Sequence, residues 1–126
     1  MRFSILRIDH VQVAAPAGKE AAAREFYAGI LGMLEIEKPE PLKGRGGVWF
    51  QFGEQQLHVG VEEPFAPAKK AHPAFLVSGY VELKDYLTAN DVEVREDDSI
   101  PGVERFFIFD PFGNRLEFLQ HEARQR

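Results

Sequence analysis

The chain has 126 residues, of which 44% are hydrophobic and 28% charged, with eleven Phe, so it carries ample core material for one compact domain. A net charge of −5 argues against a nucleic-acid partner, because neutralising phosphates takes a basic face. The absence of cysteine excludes disulfides, thiol nucleophiles and zinc–thiolate centres, and no stretch approaches the roughly twenty consecutive apolar residues of a membrane span.

Alternation over Leu6 to Val13 predicts a first strand, with Ile8, His10 and Gln12 on one face and Asp9, Val11 and Val13 on the other. After a turn at Pro16-Ala17-Gly18, Ala22, Phe26 and Ile30 give Lys19 to Leu31 one helical stripe, and Gly32 stops it. A short strand over Met33 to Glu37 follows, then a loop punctuated by Pro39, Pro41, Gly44, Gly46 and Gly47. Val48 to Phe52 and Gln55 to Val61 form a hairpin around Gly53-Glu54. Glu62 to Ala71, with two prolines and two lysines, reads as a linker.

The pattern then restarts. Ala74 to Val77 is predicted as strand, and Tyr80 to Ala89 as a helix with Tyr80, Leu83 and Leu87 on its apolar stripe. Val92 to Arg95 and Phe106 to Phe109 are strands separated by a loop over Asp97 to Gly102. Asp110-Pro111-Phe112-Gly113-Asn114 has turn chemistry, Arg115 to Gln120 is the closing strand, and the tail HEARQR is expected to fray. The chain therefore reads as a single α+β domain, residues 1–126, of two βαβββ modules at about 1–62 and 72–121.

Face parity selects the candidate chemistry. If Val11 and Val13 pack on the first helix, His10 points to the opposite face, and Leu57, Val59 and Val61 place His58 there in the same way. Leu116 and Phe118 do this for Glu117, and Phe75 and Val77 for His72. Taken singly, His10 or His58 would be an ordinary hydrogen-bonded strand histidine. Together, three imidazoles and a carboxylate are a ligand set for a divalent ion with room for substrate oxygens. Gln12 and Gln56 share the parity and are candidates to orient the ligands. Trp49, Phe50 and Phe52 are assigned to core or pocket wall, Phe106, Phe107 and Phe109 to core, Arg115 as a possible partner of Glu117, and His121 to solvent.

Three stretches carry a family resemblance: Ile8-Asp9-His10-Val11; Phe26-Tyr27 with Ile30-Leu31-Gly32-Met33; and Asp110-Pro111-Phe112-Gly113-Asn114 followed by Leu116-Glu117-Phe118. In these the chain resembles the vicinal oxygen chelate superfamily, which holds glyoxalase I, bleomycin-resistance proteins, fosfomycin-modifying transferases and extradiol dioxygenases. The resemblance implies two paired βαβββ modules forming a curved mixed sheet around a metal-binding cup. It matches His10, His72 and Glu117 to the family's metal ligands. His58 stands where glyoxalase I has a glutamate that binds metal and acts as base, and the change of charge and reach argues against that activity. No counterpart to the potassium-binding loop of the fosfomycin transferases is seen in Glu62 to Ala71.

The function expected is that of a metal-dependent, glyoxalase-like enzyme: a lyase, isomerase, dioxygenase or transferase acting on a small oxygenated substrate. His10, His58, His72 and Glu117 would hold Fe, Mn, Ni, Co or Zn, and the catalytic roles fall to His58 and Glu117. The alternative is a metal-free protein of the bleomycin-resistance kind that sequesters a small molecule. Either is expected to be cytoplasmic, since the opening MRFSILRIDHV shows no signal-peptide core, and the resemblance implies a homodimer.

Overall fold

The structure, a computed structural model, describes residues 2–122, so Ala123 to Arg126, most of the tail expected to fray, lie outside the described residues. The chain divides into two compact units, residues 1–65 and 66–126. In the first, strand β1 (His10–Ala15) is followed by helix α1 (Glu20–Ala23), which widens into a π-helical run (Arg24–Ile30). Strands β2 (Leu34–Ile36), β3 (Val48–Phe52) and β4 (Gln55–Val61) complete it, with a 3-10 helix (Glu40–Arg45) between β2 and β3. The second unit repeats the order as β5 (Ala74–Leu76), α2 (Tyr80–Ala89), β6 (Arg95–Asp97), β7 (Val103–Phe109) and β8 (Arg115–His121). Each unit is thus a βαβββ module with a four-stranded mixed sheet, ordered β1-β4-β3-β2 and β5-β8-β7-β6. Among the described residues no helix is long and apolar enough to cross a membrane.

Register explains where the strand bounds differ from the expected ones. β1 runs parallel to β4 from His10 opposite Gln56 to Ala15 opposite Val61, and β4 begins only at Gln55. Residues before His10 overrun the end of β4 and find no ladder, which leaves Ile5, Leu6 and Ile8 exposed. In the second unit, β6 pairs through Arg95, Glu96 and Asp97, while the Val92 N–H caps the helix at the Leu87 carbonyl. β7 extends back to Val103 because β8 continues through His121. His121 is accordingly the exposed last residue of a strand rather than part of a loose tail.

The first helix also differs in kind. In the widened run the Leu31 N–H reaches the Phe26 carbonyl at 2.9 Å, an i to i−5 bond. Phe26 and the adjacent Tyr27 are both buried, 4% and 0% exposed, so the buried set is Ala23, Phe26 and Tyr27 rather than Ala22, Phe26 and Ile30. Tyr27 packs on Phe50 at 5.6 Å between ring centroids, and Phe50 lies opposite Leu57. The corresponding core of the second unit stacks Phe75 on Phe118 and Phe118 on Phe106, with Tyr80 and Leu87 of α2 buried. Fully burying such side chains contributes roughly 2–3 kcal/mol each.

The Asp110–Asn114 turn locks β7 to β8. The buried Asp110 carboxylate accepts the Phe112 N–H at 2.9 Å and the Asn114 N–H at 2.8 Å, and its other oxygen accepts the Asn114 side-chain amide at 2.9 Å. Gly113 adopts φ 91°, which a residue with a Cβ seldom does. Replacing Asp110 with Ala strands these donors, so urea titration is expected to show a loss of about 3 kcal/mol. A change below about 0.5 kcal/mol would mean that the turn is held by other contacts.

Candidate functional site

In the first unit, side-chain alternation places the helix-packing face and the candidate face on opposite sides of one sheet. Phe50 and its cross-strand partner Leu57 face the π-helical run, where Tyr27 packs on Phe50, so their neighbours Trp49 and His58, also cross-strand partners, face the other way. Gln12 lies opposite His58 on β1, which puts His10 on the same face. The rings of Trp49, His58 and His10 form one stack: Trp49 to His58 is 3.7 Å at 5°, and His58 to His10 is 4.1 Å at 16°. Enclosed between them, His58 is only 3% exposed.

Hydrogen bonds fix which ring nitrogens keep a lone pair. His10 donates from Nδ1 to the Asp9 carboxylate at 3.0 Å, leaving Nε2 free to ligate. Parity had placed Asp9 with Val11 on the helix side; with no partner strand beside it, its carboxylate instead turns to His10. His58 Nε2 lies 2.8 Å from Gln56 Oε1, so with Nε2 donating, Nδ1 holds the lone pair. Gln56 therefore orients a candidate ligand, whereas Gln12 rests against Gly60. Burial pushes the His58 pKa down from the ordinary 6.5 to about 4, with the neighbouring His10 adding to the effect.

In the second unit His72 and Glu117 come together. His72 precedes β5 rather than lying within it, and donates from Nδ1 to the Lys70 carbonyl at 2.8 Å. Its Nε2 faces Glu117 Oε1 at 2.9 Å, and Glu117 is buried. With Nδ1 committed to a carbonyl, two acceptors face each other unless a positive charge stands between them. A proton meets that need, and so does a divalent ion, since neighbouring ligands about 2.1 Å from an ion stand about 3 Å apart. The donor set thus fits a metal.

The cation beside Glu117 is Arg105, not Arg115. Its guanidinium lies 3.5 Å from Glu117 Oε2 and 3.3 Å from Asp97, while Arg115 sits 3.9 Å over the Phe107 ring. Phe107 is buried, as expected, on the Glu117 face, with His72 edge-on to it at 5.6 Å, whereas Phe109, also expected in the core, is 41% exposed. Alternation along β7 could have revealed this, because Arg105 and Phe107 share the parity that Glu117 has on β8. Within either unit by itself, two of the four expected ligands meet: His10 with His58, and His72 with Glu117. Among the described residues, no single unit gathers three or more His, Cys, Asp or Glu side chains into a cluster.

The family model of the glyoxalase/bleomycin resistance protein/dioxygenase superfamily matches residues 7–118. A solved glyoxalase family protein from Bacillus anthracis is 54% identical, with a TM-score of 0.94 over 97% of this chain and 100% of that one. A lactoylglutathione lyase from Agrobacterium tumefaciens shares the fold at 22% identity, with a TM-score of 0.71 over 90% and 92% of the two chains. So does a genomically encoded fosfomycin resistance protein from Listeria monocytogenes, at 14% identity, with a TM-score of 0.74 over 95% and 97%. No curated protein matches the chain.

The depressed His58 pKa has a defined consequence for stability. The unfolded imidazole takes its proton near pH 6.5 and the folded one only near 4, so the unfolded state binds more protons in between. In chelator-treated protein, stability is therefore complete above pH 6.5 and falls by up to about 3 kcal/mol as the pH drops to 4. Urea titrations of wild type and His58→Gln should diverge across that window. Parallel curves would show that His58 is not held neutral by its stack.

Proposed function

Because the chain belongs to the glyoxalase/bleomycin resistance protein/dioxygenase superfamily, we propose that it is a metal-dependent enzyme acting on a small oxygenated molecule. The observation that supports this reading is the His72–Glu117 contact, where a ring nitrogen and a buried carboxylate oxygen stand 2.9 Å apart, a spacing that a proton fills in the free protein and that two ligands of one cation would share. His10 and His58 are assigned as the other two ligands, and a homodimer belongs to the same proposal. Fe, Mn, Ni, Co and Zn all suit this ligand set. When bound, such an ion supplies Lewis acidity toward adjacent substrate oxygens.

The chain's own groups divide the remaining work. His58, neutral at physiological pH, presents Nδ1 as a ligand that can also take or return a proton, with Gln56 holding its ring in place. Asp9 does the same for the His10 ring, and the Lys70 carbonyl for His72. Arg105 holds one oxygen of Glu117 and leaves the other directed at His72. Trp49 and Phe107 wall the two half-sites with apolar surface, which strengthens the electrostatic interactions made there. A histidine at position 58 distinguishes this set from that of glyoxalase I, so the reaction is assigned to the wider class of lyases, isomerases, oxygenases and transferases. A cytoplasmic location belongs to the same proposal.

Protein purified without chelator is expected to carry a stoichiometric divalent transition metal by elemental analysis, and to gain thermal stability when metal is restored after stripping. His72→Ala and Glu117→Gln should each abolish that retention. Absence of both stoichiometric metal and a thermal shift would contradict the proposal. Small-molecule binding that survives the double change His10→Ala, His72→Ala would instead favour a sequestering protein.

A further inference from the structure

Beside the Trp49–His58 stack, the first unit forms an open hollow of about 210 Å3 lined by Gln12, Lys38, Arg45, Trp49, Gly60 and neighbouring apolar groups. That volume is below the roughly 300 Å3 at which pockets begin to take a whole drug-sized ligand, so the hollow suits one arm of a molecule. Its floor is the candidate face itself: Trp49 and Gln12 are the cross-strand neighbours of His58, and Gly60 follows on β4.

The hollow owes its other wall to the glycine pair. Gly46 and Gly47 adopt φ of 74° and 86°, which lets the 3-10 segment fold down onto β4. A Cβ on Gly47 would stand 2.3 Å from the Val59 carbonyl oxygen, so only glycine permits this approach. Glu20 clamps the same corner by accepting the Gly47 N–H at 2.8 Å. The segment thereby brings Lys38 and Arg45 to the mouth of the hollow.

The charges there are not used up within the protein. Lys38 donates one hydrogen to the Gly46 carbonyl and lies near Glu20, leaving further donors. Arg45 and Gln12 are solvent-exposed, and among the described residues their side chains have no ion-pair or hydrogen-bond partner, so water holds places that a ligand can take. One carboxylate, Glu20, stands against two cations, so the hollow is net positive. A planar guanidinium, an ammonium and a free amide over an indole face are recognition chemistry for an oxyanion on a short arm.

We infer that this hollow is an oxyanion subsite, in which Lys38, Arg45 and Gln12 hold a carboxylate or phosphate arm of the substrate while its reacting oxygens face His10 and His58. The inference rests on the proposed function in its second half only, since the anion would bind whether or not a metal is present. It assigns the substrate to the small organic acids or phosphate esters.

Trp49 is the chain's single tryptophan, so its fluorescence reports occupancy directly. Chelator-treated full-length protein is titrated with glutarate, inorganic phosphate and neutral glutaramide. One or both oxyanions should saturate the signal, and the stronger of the two identifies the arm as carboxylate or phosphate. The diamide should not. Arg45→Gln and Lys38→Gln, with unchanged far-UV circular dichroism, should each raise Kd at least tenfold, whereas Lys69→Gln should leave it unchanged. No saturable response to either oxyanion, equal binding of the diamide, or an unaltered Kd in both variants would overturn the subsite. Metal content measured on protein purified without chelator, before stripping, separates the two readings: normal metal retention without anion binding removes the subsite alone, while anion binding without metal retention removes only the metal-dependent reading.

Discussion

His72 Nε2 and Glu117 Oε1 stand 2.9 Å apart, a spacing that holds a proton or would suit two ligands of one cation, and both groups are fixed in that relation from outside. The Lys70 carbonyl accepts the His72 Nδ1–H, and Arg105 pairs with one oxygen of Glu117, so neither group is free to turn away. A buried carboxylate in this position is costly unless it is paired. The surrounding strands carry the cost through their own packing, since Phe118 and Leu116 anchor β8 on the side away from Glu117.

The sheet geometry repeats this arrangement in the first unit with different chemistry. There the opposing residues are two imidazoles and an indole in one stack, and the protection of His58 from water is what keeps it neutral. A neutral imidazole can ligate, and it can accept a proton, which an imidazolium cannot do. The first module thus presents two imidazoles where the second presents an imidazole and a carboxylate.

Residues whose role depends on alternation were legible in the sequence. His10, His58 and Glu117 could be placed on a face because their neighbours Val11, Leu57, Leu116 and Phe118 are unambiguously apolar. The hairpin over Val48–Val61 and the turn at Asp110–Asn114 were legible from turn chemistry alone. What depends on register was not. β1 starts at His10 because its parallel partner β4 begins only at Gln55, a fact held in a segment some forty-five residues away. Arg105 reaches Glu117 through strand pairing, whereas Arg115 looked closer only along the chain. The π-helical run was hidden because a stripe of Ala22, Phe26 and Ile30 satisfies ordinary helical spacing equally well. The loop with Gly46 and Gly47 read as punctuation, yet those glycines let a basic segment close onto β4.

The proposed site is tested most directly by X-ray absorption on the metal-reconstituted protein, because outer-shell scattering distinguishes imidazole from carboxylate and water. Ligation by His10, His58, His72 and Glu117 predicts a multiple-scattering pattern from about three imidazoles, reduced by one in each single histidine variant. A bound ion whose spectrum shows only oxygen neighbours, unchanged when His58 or His72 is replaced, would contradict it.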